Sequence, residues 1–251
     1  MTEWQGAEYE AVSRLQQELA AAALGAVTLA DGEHVLDVGC GDGRVTAAIA
    51  ARTPSGRVLG VDPSHDMIAF AARTHAAPNL AFEVGDARTL GHAGAFDRVV
   101  SFNALHWVHE QDAALRAIHA ALRPGGRALL QLVPRTQRRS LEDAIEAVAA
   151  SPPWTAQLPA HRTPFAHPYP GAFAALAESA GFAIERLEVL EGAFDFGSRA
   201  AFARFAHATF VAWTGELPAD LIDAFIADVL DRWAGGTIFA YDQLRVALRR
   251  P

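Results

Sequence analysis

Short apolar runs alternate with amphipathic stretches through the middle of the chain. Residues 34–39, 57–62, 80–84, 96–102 and 126–133 are near-continuous apolar runs of strand length. Between them, 43–52, 64–75 and 111–122 carry apolar residues at helical spacing. Strands alternating with helices predict a parallel sheet wrapped on both faces. Ahead of this unit, residues 8–25 predict a helix, with Leu15, Leu19 and Ala22 on one side and Arg14, Gln17 and Glu18 elsewhere.

The rhythm breaks at 134–170, which holds Pro134, Pro152, Pro153, Pro159, Pro164, Pro168 and Pro170 around one predicted helix at 139–150. A connection this long inside a compact domain usually forms a lid or a binding loop. A helix at 171–180, a strand at 182–190, helical sequence over 198–233 and a closing strand at 243–249 complete the pattern. The expected organisation is one domain over 1–251. It comprises an N-terminal helical cap (1–30), a ligand-binding core (31–133) and lid or substrate insertions at 134–180 and 198–235.

Composition narrows the chemistry. With 51% apolar residues among 251, a sizeable core can be buried. The net charge of −8 opposes a nucleic-acid partner, because affinity for polyanions rests on Lys and Arg meeting phosphates. All 21 basic residues are arginine, so Schiff-base chemistry and a P-loop lysine are excluded. The single cysteine, Cys40, excludes an internal disulfide and any cysteine-based zinc cluster. The start of the chain does not look like a signal peptide, and the least polar stretch, 19–30, is too short to cross a bilayer. A cytoplasmic protein, monomeric or homodimeric, with no membrane partner is expected.

The strongest local signal is Val35-Leu36-Asp37-Val38-Gly39-Cys40-Gly41-Asp42-Gly43, which follows a predicted strand and opens a predicted helix. Glycines let the backbone turn tightly and approach a ligand without a Cβ in the way. The spacing is GxGxG, and Arg44 stands where a dinucleotide fingerprint has its third glycine. Asp37 would repel a pyrophosphate and suits a cofactor with a positive amine or sulfonium. Asp62 ends the next strand, where it can accept from ribose hydroxyls, and Asp86 follows the third, where it can meet an adenine amine. The alternative role for such acids is capping, which is an equal reading for Asp42.

These residues resemble the class I S-adenosylmethionine-dependent methyltransferases over about 33–133, and the closing strand at 243–249 also fits. The resemblance implies a Rossmann-like α/β fold. Its seven-stranded sheet is mostly parallel, with an antiparallel last strand inserted between the fifth and sixth. It implies S-adenosylmethionine as cofactor and S-adenosylhomocysteine as product. Asp37 and Gly39, Cys40, Gly41 and Gly43 would face the methionine moiety, and Asp62 with Pro63 the ribose. Asp86 with Ala87 would face the adenine, and Met67 would pack beside it unless it is a core residue. Asn103 ends the fourth strand and would also border the cofactor.

The acceptor side begins at Ser101-Phe102-Asn103-Ala104-Leu105-His106-Trp107-Val108. The Asp/Asn-Pro-Pro-aromatic motif of nucleic-acid amine methyltransferases is absent. The Leu-His-Trp-Val segment, with Trp4, Gln5, Tyr9 and Leu15-Gln16, is similar to the trans-aconitate and juvenile hormone acid methyltransferases, which esterify carboxylic acids. That resemblance implies that Gln16 and the indole of Trp107 hold a small-molecule carboxylate. A carboxylate, with a reference pKa of about 4, is already ionised at neutral pH and needs orientation rather than a base. A hydroxyl or amine acceptor would need a base, for which His106 is the candidate. A protein that binds the cofactor without transferring its methyl is a third reading.

His106 and His109 lie three apart, which would suit a metal on a helix, but no third ligand has fitting spacing; no metal is expected. Arg135, Arg138, Arg139 and Arg162 either bind further carboxylates or form a solvated face. Trp154, Phe165, Tyr169, Phe202, Phe205, Phe210 and Trp213 either roof the site or pack helices together. No GxSxG elbow supports a hydrolase.

Overall fold

A computed structural model describes residues 15, 18, 19, 21–158, 161 and 163–251. Seven strands form one sheet: β1 (His34–Val38), β2 (Arg57–Asp62), β3 (Leu80–Val84), β4 (Phe96–Phe102), β5 (Leu122–Leu132), β6 (Ala183–Asp195) and β7 (Ile238–Arg249). Their order is β3-β2-β1-β4-β5-β7-β6. β2 and β4 flank β1 in parallel, β3 continues parallel to β2 and β5 parallel to β4, while β7 runs antiparallel to β5. The seven-stranded, mostly parallel sheet with an inserted antiparallel last strand is therefore present.

The helices are α1 (Arg44–Arg52), α2 (His65–Thr74), α3 (Gln111–Ala121), α4 (Leu141–Ala149), α5 (Trp154–Gln157), α6 (Pro170–Ser179), α7 (Arg199–Thr209), α8 (Val211–Thr214) and α9 (Ile222–Arg232). Of the N-terminal helix expected over 8–25, residues 15, 18, 19 and 21–26 are helical; the others before 21 lie outside the described residues.

Four expectations need correcting. β5 starts at Leu122, β6 runs on to Asp195, and β7 starts at Ile238 rather than 243, so the sheet's far strands are longer than the apolar runs showed. The added end of β6, Glu191-Gly192-Ala193-Phe194-Asp195, is interrupted by polar residues, whereas the added start of β7, Ile238-Phe239-Ala240-Tyr241-Asp242, is apolar up to Tyr241. The helical 198–233 is broken into α7, α8, a 3₁₀ turn at Ala219–Leu221 and α9. Phe210 leaves helical geometry between α7 and α8, and Pro218, extended at ψ 139°, separates α8 from the turn.

The chain divides into two compact units. One holds Ala20–Pro134, Phe165–Leu190 and Gln243–Pro251. Its core on one sheet face joins Leu36, Val38, Val99, Leu130, Leu132, Leu244, Val246 and Leu248 to Leu115 and Ile118 of α3 and Phe173 of α6. On the other face Val35, Val58, Val100 and Leu129 pack with Ile49 of α1 and Val27.

The other unit takes in Arg135–Pro164 and Glu191–Asp242, with residues 15, 18 and 19. Much of its interior is aromatic. Phe196 stacks on Phe202 at 4.6 Å, Phe205 and Phe239 pack beside them, and Trp154 meets Phe225 edge-on at 5.0 Å. Among the described residues, no helix is long and apolar enough to cross a membrane.

Candidate active site

The order reversal beside β1, where the chain steps to β2 on one side and β4 on the other, is where open parallel sheets bind ligands. Asp37, Asp62 and Asn103 all reach this carboxyl edge. After β1 the chain is pinned at once: the N–H groups of Gly39 and Cys40 both donate to Val61 O, at 2.7 and 3.1 Å. Gly39 has φ +76°, and a Cβ built there would lie 2.1 Å from the Ala104 Cβ. Gly43 has φ +79°, with Phe82 and Ala71 within 2.8 Å of its would-be Cβ. Gly41, at φ +53°, has nothing within 4 Å, so the turn is tight against the protein at both ends and open in its middle.

Asp62 is oriented by the backbone. One carboxylate oxygen accepts from Gly41 N–H at 3.0 Å and the other from Ser64 N–H at 2.9 Å. Each oxygen keeps a second lone pair for a ligand, and the rotamer is fixed before any ligand arrives. Asp37 is buried and accepts from the Thr46 hydroxyl at 2.7 Å. Burial pushes its pKa up to about 7; the Thr46 hydrogen bond opposes the shift and the charge of Asp62 adds to it.

Cys40 is buried, and burial raises its pKa, so it remains a thiol. Asp42 accepts from Arg44 N–H at 3.1 Å in a local turn ahead of α1, whose N-cap is Gly43. Pro63 and Met67 are exposed, Met67 at 47%, so the core reading of Met67 falls.

Asp86 is gripped by a neighbour the sequence reading did not single out. Arg88 donates to it from the backbone at 2.8 Å and from the guanidinium to both oxygens, and also reaches Glu110 at 2.9 Å. The Arg88 hydrogen bonds hold the Asp86 pKa below its usual range. Ala87 packs against the core beside it.

At the end of β4, Asn103 has φ +56°, uncommon without glycine, and its side-chain oxygen is buried with no hydrogen-bond partner. The next residues form a single 3₁₀ turn, Leu105–Trp107, that separates two neighbours sharply. His106 is 3% exposed and Trp107 39% exposed.

The His106 Nδ1 faces Val133 N–H at 3.4 Å, and its ring lies edge-on to His167 at 5.7 Å. Burial, with the charge of His167, lowers its pKa to about 3. The segment beyond is tied down: Ala166 N–H donates to His106 O at 2.7 Å, and the Gln111 amide donates to Ala166 O at 2.8 Å. Gln111 and His167 carry no signal in the sequence, because only packing brings them to this strand end, whereas Phe165 is among the aromatics expected to roof the site or pack helices.

The turn ends at Trp107 and Val108 is extended, so His106 is buried while His109 is exposed and the two do not face one way. Among the described residues no group of three or more His, Cys, Asp or Glu could hold a metal. Gln16, Tyr9, Trp4, Gln5 and Arg162 lie outside the described residues.

Arg138 is engaged by Asp242 and Glu191, at 3.0 and 2.8 Å, and Arg135 stands 4.0 Å from Asp143. Of the aromatics, Trp154 and Trp213 donate their indole N–H groups to Asp228 and Glu146. Phe202, Phe205 and Phe210 are buried, Phe165 stacks on His167, and Tyr169 is exposed.

Residues 35–126 match the family model described as a methyltransferase domain. Over that segment the chain is similar to the class I methyltransferases. S-adenosylmethionine is the cofactor of that class, and the residues fit it: an open glycine, a preset carboxylate at the second strand end, and unpartnered acceptors beside a buried acid.

Over 158 residues the chain is 34% identical to a trans-aconitate 2-methyltransferase of Methylobacterium radiotolerans, covering 63% of this chain and 60% of the relative. It is 36% identical over 110 residues to the juvenile hormone acid O-methyltransferase of Bombyx mori, covering 42% and 40%. The match spans less than two thirds of the length of either relative. The fold resembles that of the YcgJ protein of Bacillus subtilis, with TM-score 0.67 at 16% identity over 93% of this chain and 98% of that one.

Proposed function

We propose that this protein transfers a methyl group from S-adenosylmethionine to a carboxylate of a small organic acid, leaving S-adenosylhomocysteine. Asp62 accepts the ribose hydroxyls on its two spare lone pairs, and Asp86, held by Arg88, meets the adenine amine. Gly41 provides close backbone approach. Asp37 and the Asn103 side-chain oxygen answer the positive methionine end. The bound cofactor supplies a methyl carbon already activated by a sulfonium.

The observation that carries the choice of acceptor is the setting of His106. A residue kept neutral, with its pKa lowered to about 3, is a weak base. With Nδ1 accepting from Val133 N–H, the ring's proton sits on Nε2, which then donates rather than accepts. A donor suits a carboxylate, which needs orientation and partial desolvation and has no proton to lose. Trp107, exposed beside it, offers a second contact, and Gln16 completes the proposed acceptor clamp. The names of the two relatives support an acid as acceptor.

The test uses S-adenosylmethionine labelled on its methyl, trans-aconitate and a long-chain acid as probes, and mild alkali on the product. Label released as methanol marks an ester and supports the reading. Label that resists alkali marks an ether, amine or carbon acceptor and overturns it. Trp107→Phe and Gln16→Ala are expected to lower turnover at least tenfold with S-adenosylhomocysteine affinity unchanged; full turnover in both removes the clamp.

A further inference from the structure

On β7 the residues alternate strictly. Leu244, Val246 and Leu248 enter the core, so Gln243, Arg245 and Ala247 point to the opposite face. Gln243 is only 7% exposed, yet its amide makes no hydrogen bond and its Oε1 is buried without a partner. Its surroundings explain why. The register with β5 ends at the Leu132–Leu244 pair, so Gln243 lies one residue past the paired segment and faces no partner residue on β5 there. The nearest amide on the same face, Gln131, gives its Oε1 to Arg245 twice, at 3.0 and 2.8 Å.

A buried amide left without partners costs stability, and such groups in native folds mark places completed by something else. Gln243 lies at the carboxyl edge of the sheet. Val133, the residue that follows β5, has its N–H on His106. Asn103, whose side-chain oxygen is likewise buried and unpartnered, ends β4 two strand spacings away, about 10 Å.

We infer that Gln243 is an acceptor-binding residue whose carbonyl takes a hydrogen bond from a hydroxyl of the substrate, making the acceptor a hydroxy acid. The inference rests on the carboxylate reading above. The chemistry follows from what each group can give. An ionised carboxylate has no proton to donate to Oε1. An ammonium would add a second cation near the Arg245 guanidinium, which already holds the Gln131 carbonyl and, at 3.8 Å, the Glu188 carboxylate. A hydroxyl donates without a charge. A site built around such a hydrogen bond rejects the analogue that lacks the hydroxyl, because the buried carbonyl is then left unpaired again.

Two measurements test it. In the protein without ligand, Gln243→Leu removes an unsatisfied group, so the Tm is expected to rise by about 2–4 °C. Gln243→Met, which keeps the side chain's length, is expected to do the same. A fall in both variants means that the amide is satisfied and overturns the inference.

Methyl transfer is then compared across hydroxy and deoxy pairs: malate with succinate, citrate with tricarballylate, 3-hydroxydecanoate with decanoate. The wild type is expected to favour the hydroxylated member of at least one pair tenfold or more in kcat/KM, and Gln243→Leu to bring that ratio within twofold. Esterification of both members alike, or a preference that survives in Gln243→Leu, overturns the hydroxyl assignment and leaves the carboxylate reading standing. No transfer to any of the six overturns the hydroxyl assignment, while the carboxylate reading stands or falls on the alkali test above.

Discussion

At the end of β1 the ligand-facing surface is mostly backbone, whereas at the end of β4 it is side chains. The turn after β1 uses the N–H groups of Gly39, Cys40 and Gly41 to fix itself to Val61 and Asp62, and Gly41 has open space where a Cβ would be. After β4, Asn103 keeps an unpartnered oxygen, His106 is buried against Val133 and His167, and Trp107 is exposed. Backbone geometry is set by a few consecutive residues and serves one ligand shape. Side-chain surroundings can be altered without disturbing the turn, which suits an invariant cofactor on one side and a chosen acceptor on the other.

The comparison breaks most easily at Asp62, the one side chain on which the backbone side depends. Asp62→Ala removes the acceptor of both Gly41 N–H and Ser64 N–H as well as the proposed ribose contacts. With hydrogen bonds to a charged group each worth about 1.5–3 kcal/mol, S-adenosylhomocysteine binding is expected to weaken at least 100-fold by calorimetry. Equal binding by variant and wild type would mean that Asp62 serves only the turn.

What was legible in the sequence follows the same division. The strands Arg57–Asp62, Leu80–Val84 and Phe96–Phe102 have the bounds read from their apolar runs; the first and third keep a buried apolar centre, while Leu80–Val84 is an edge strand with no buried residue. The glycine turn was legible because positive φ at Gly39, Gly41 and Gly43 leaves few other residue choices. Arg88 on Asp86, Gln111 on Ala166 and the isolation of Gln243 were not, since each depends on a partner brought from elsewhere or on the lack of one. His106 was singled out, but its burial was not: a 3₁₀ turn and a helix place neighbouring residues differently, and four residues of sequence do not distinguish them.

The β4 side is sharpened by acid. His106 has a folded pKa of about 3 against 6.5 when exposed, so it contributes stability that is complete above about pH 6.5 and is lost as pH falls towards 3. At pH 4.5 the loss from this residue alone is about 2–3 kcal/mol. His106→Gln, which cannot titrate, is expected to flatten the fall in urea midpoint between pH 7 and pH 4.5 relative to wild type. The same slope in both proteins would place the ring in water and remove the argument against His106 as a base.

The smallest effect belongs to Asp37, and it has the opposite sign. Its folded pKa of about 7 lies above the ordinary 3.8, so in the free protein the contribution to stability is present below pH 3.8 and is lost as pH rises through 7. The ionised form is the one that answers a positive methionine end, so S-adenosylhomocysteine affinity should rise with pH where stability from this group falls. With a pKa of 7 the carboxylate fraction grows about tenfold from pH 6 to pH 8, and affinity is expected to follow by the same factor. Asp37→Asn should bind more weakly at pH 8 and show no such slope. A wild-type affinity that is flat across this range would mean that Asp37 is ionised throughout. The Thr46 hydrogen bond would then outweigh burial, and the glycine turn would be electrostatically as well as conformationally preset.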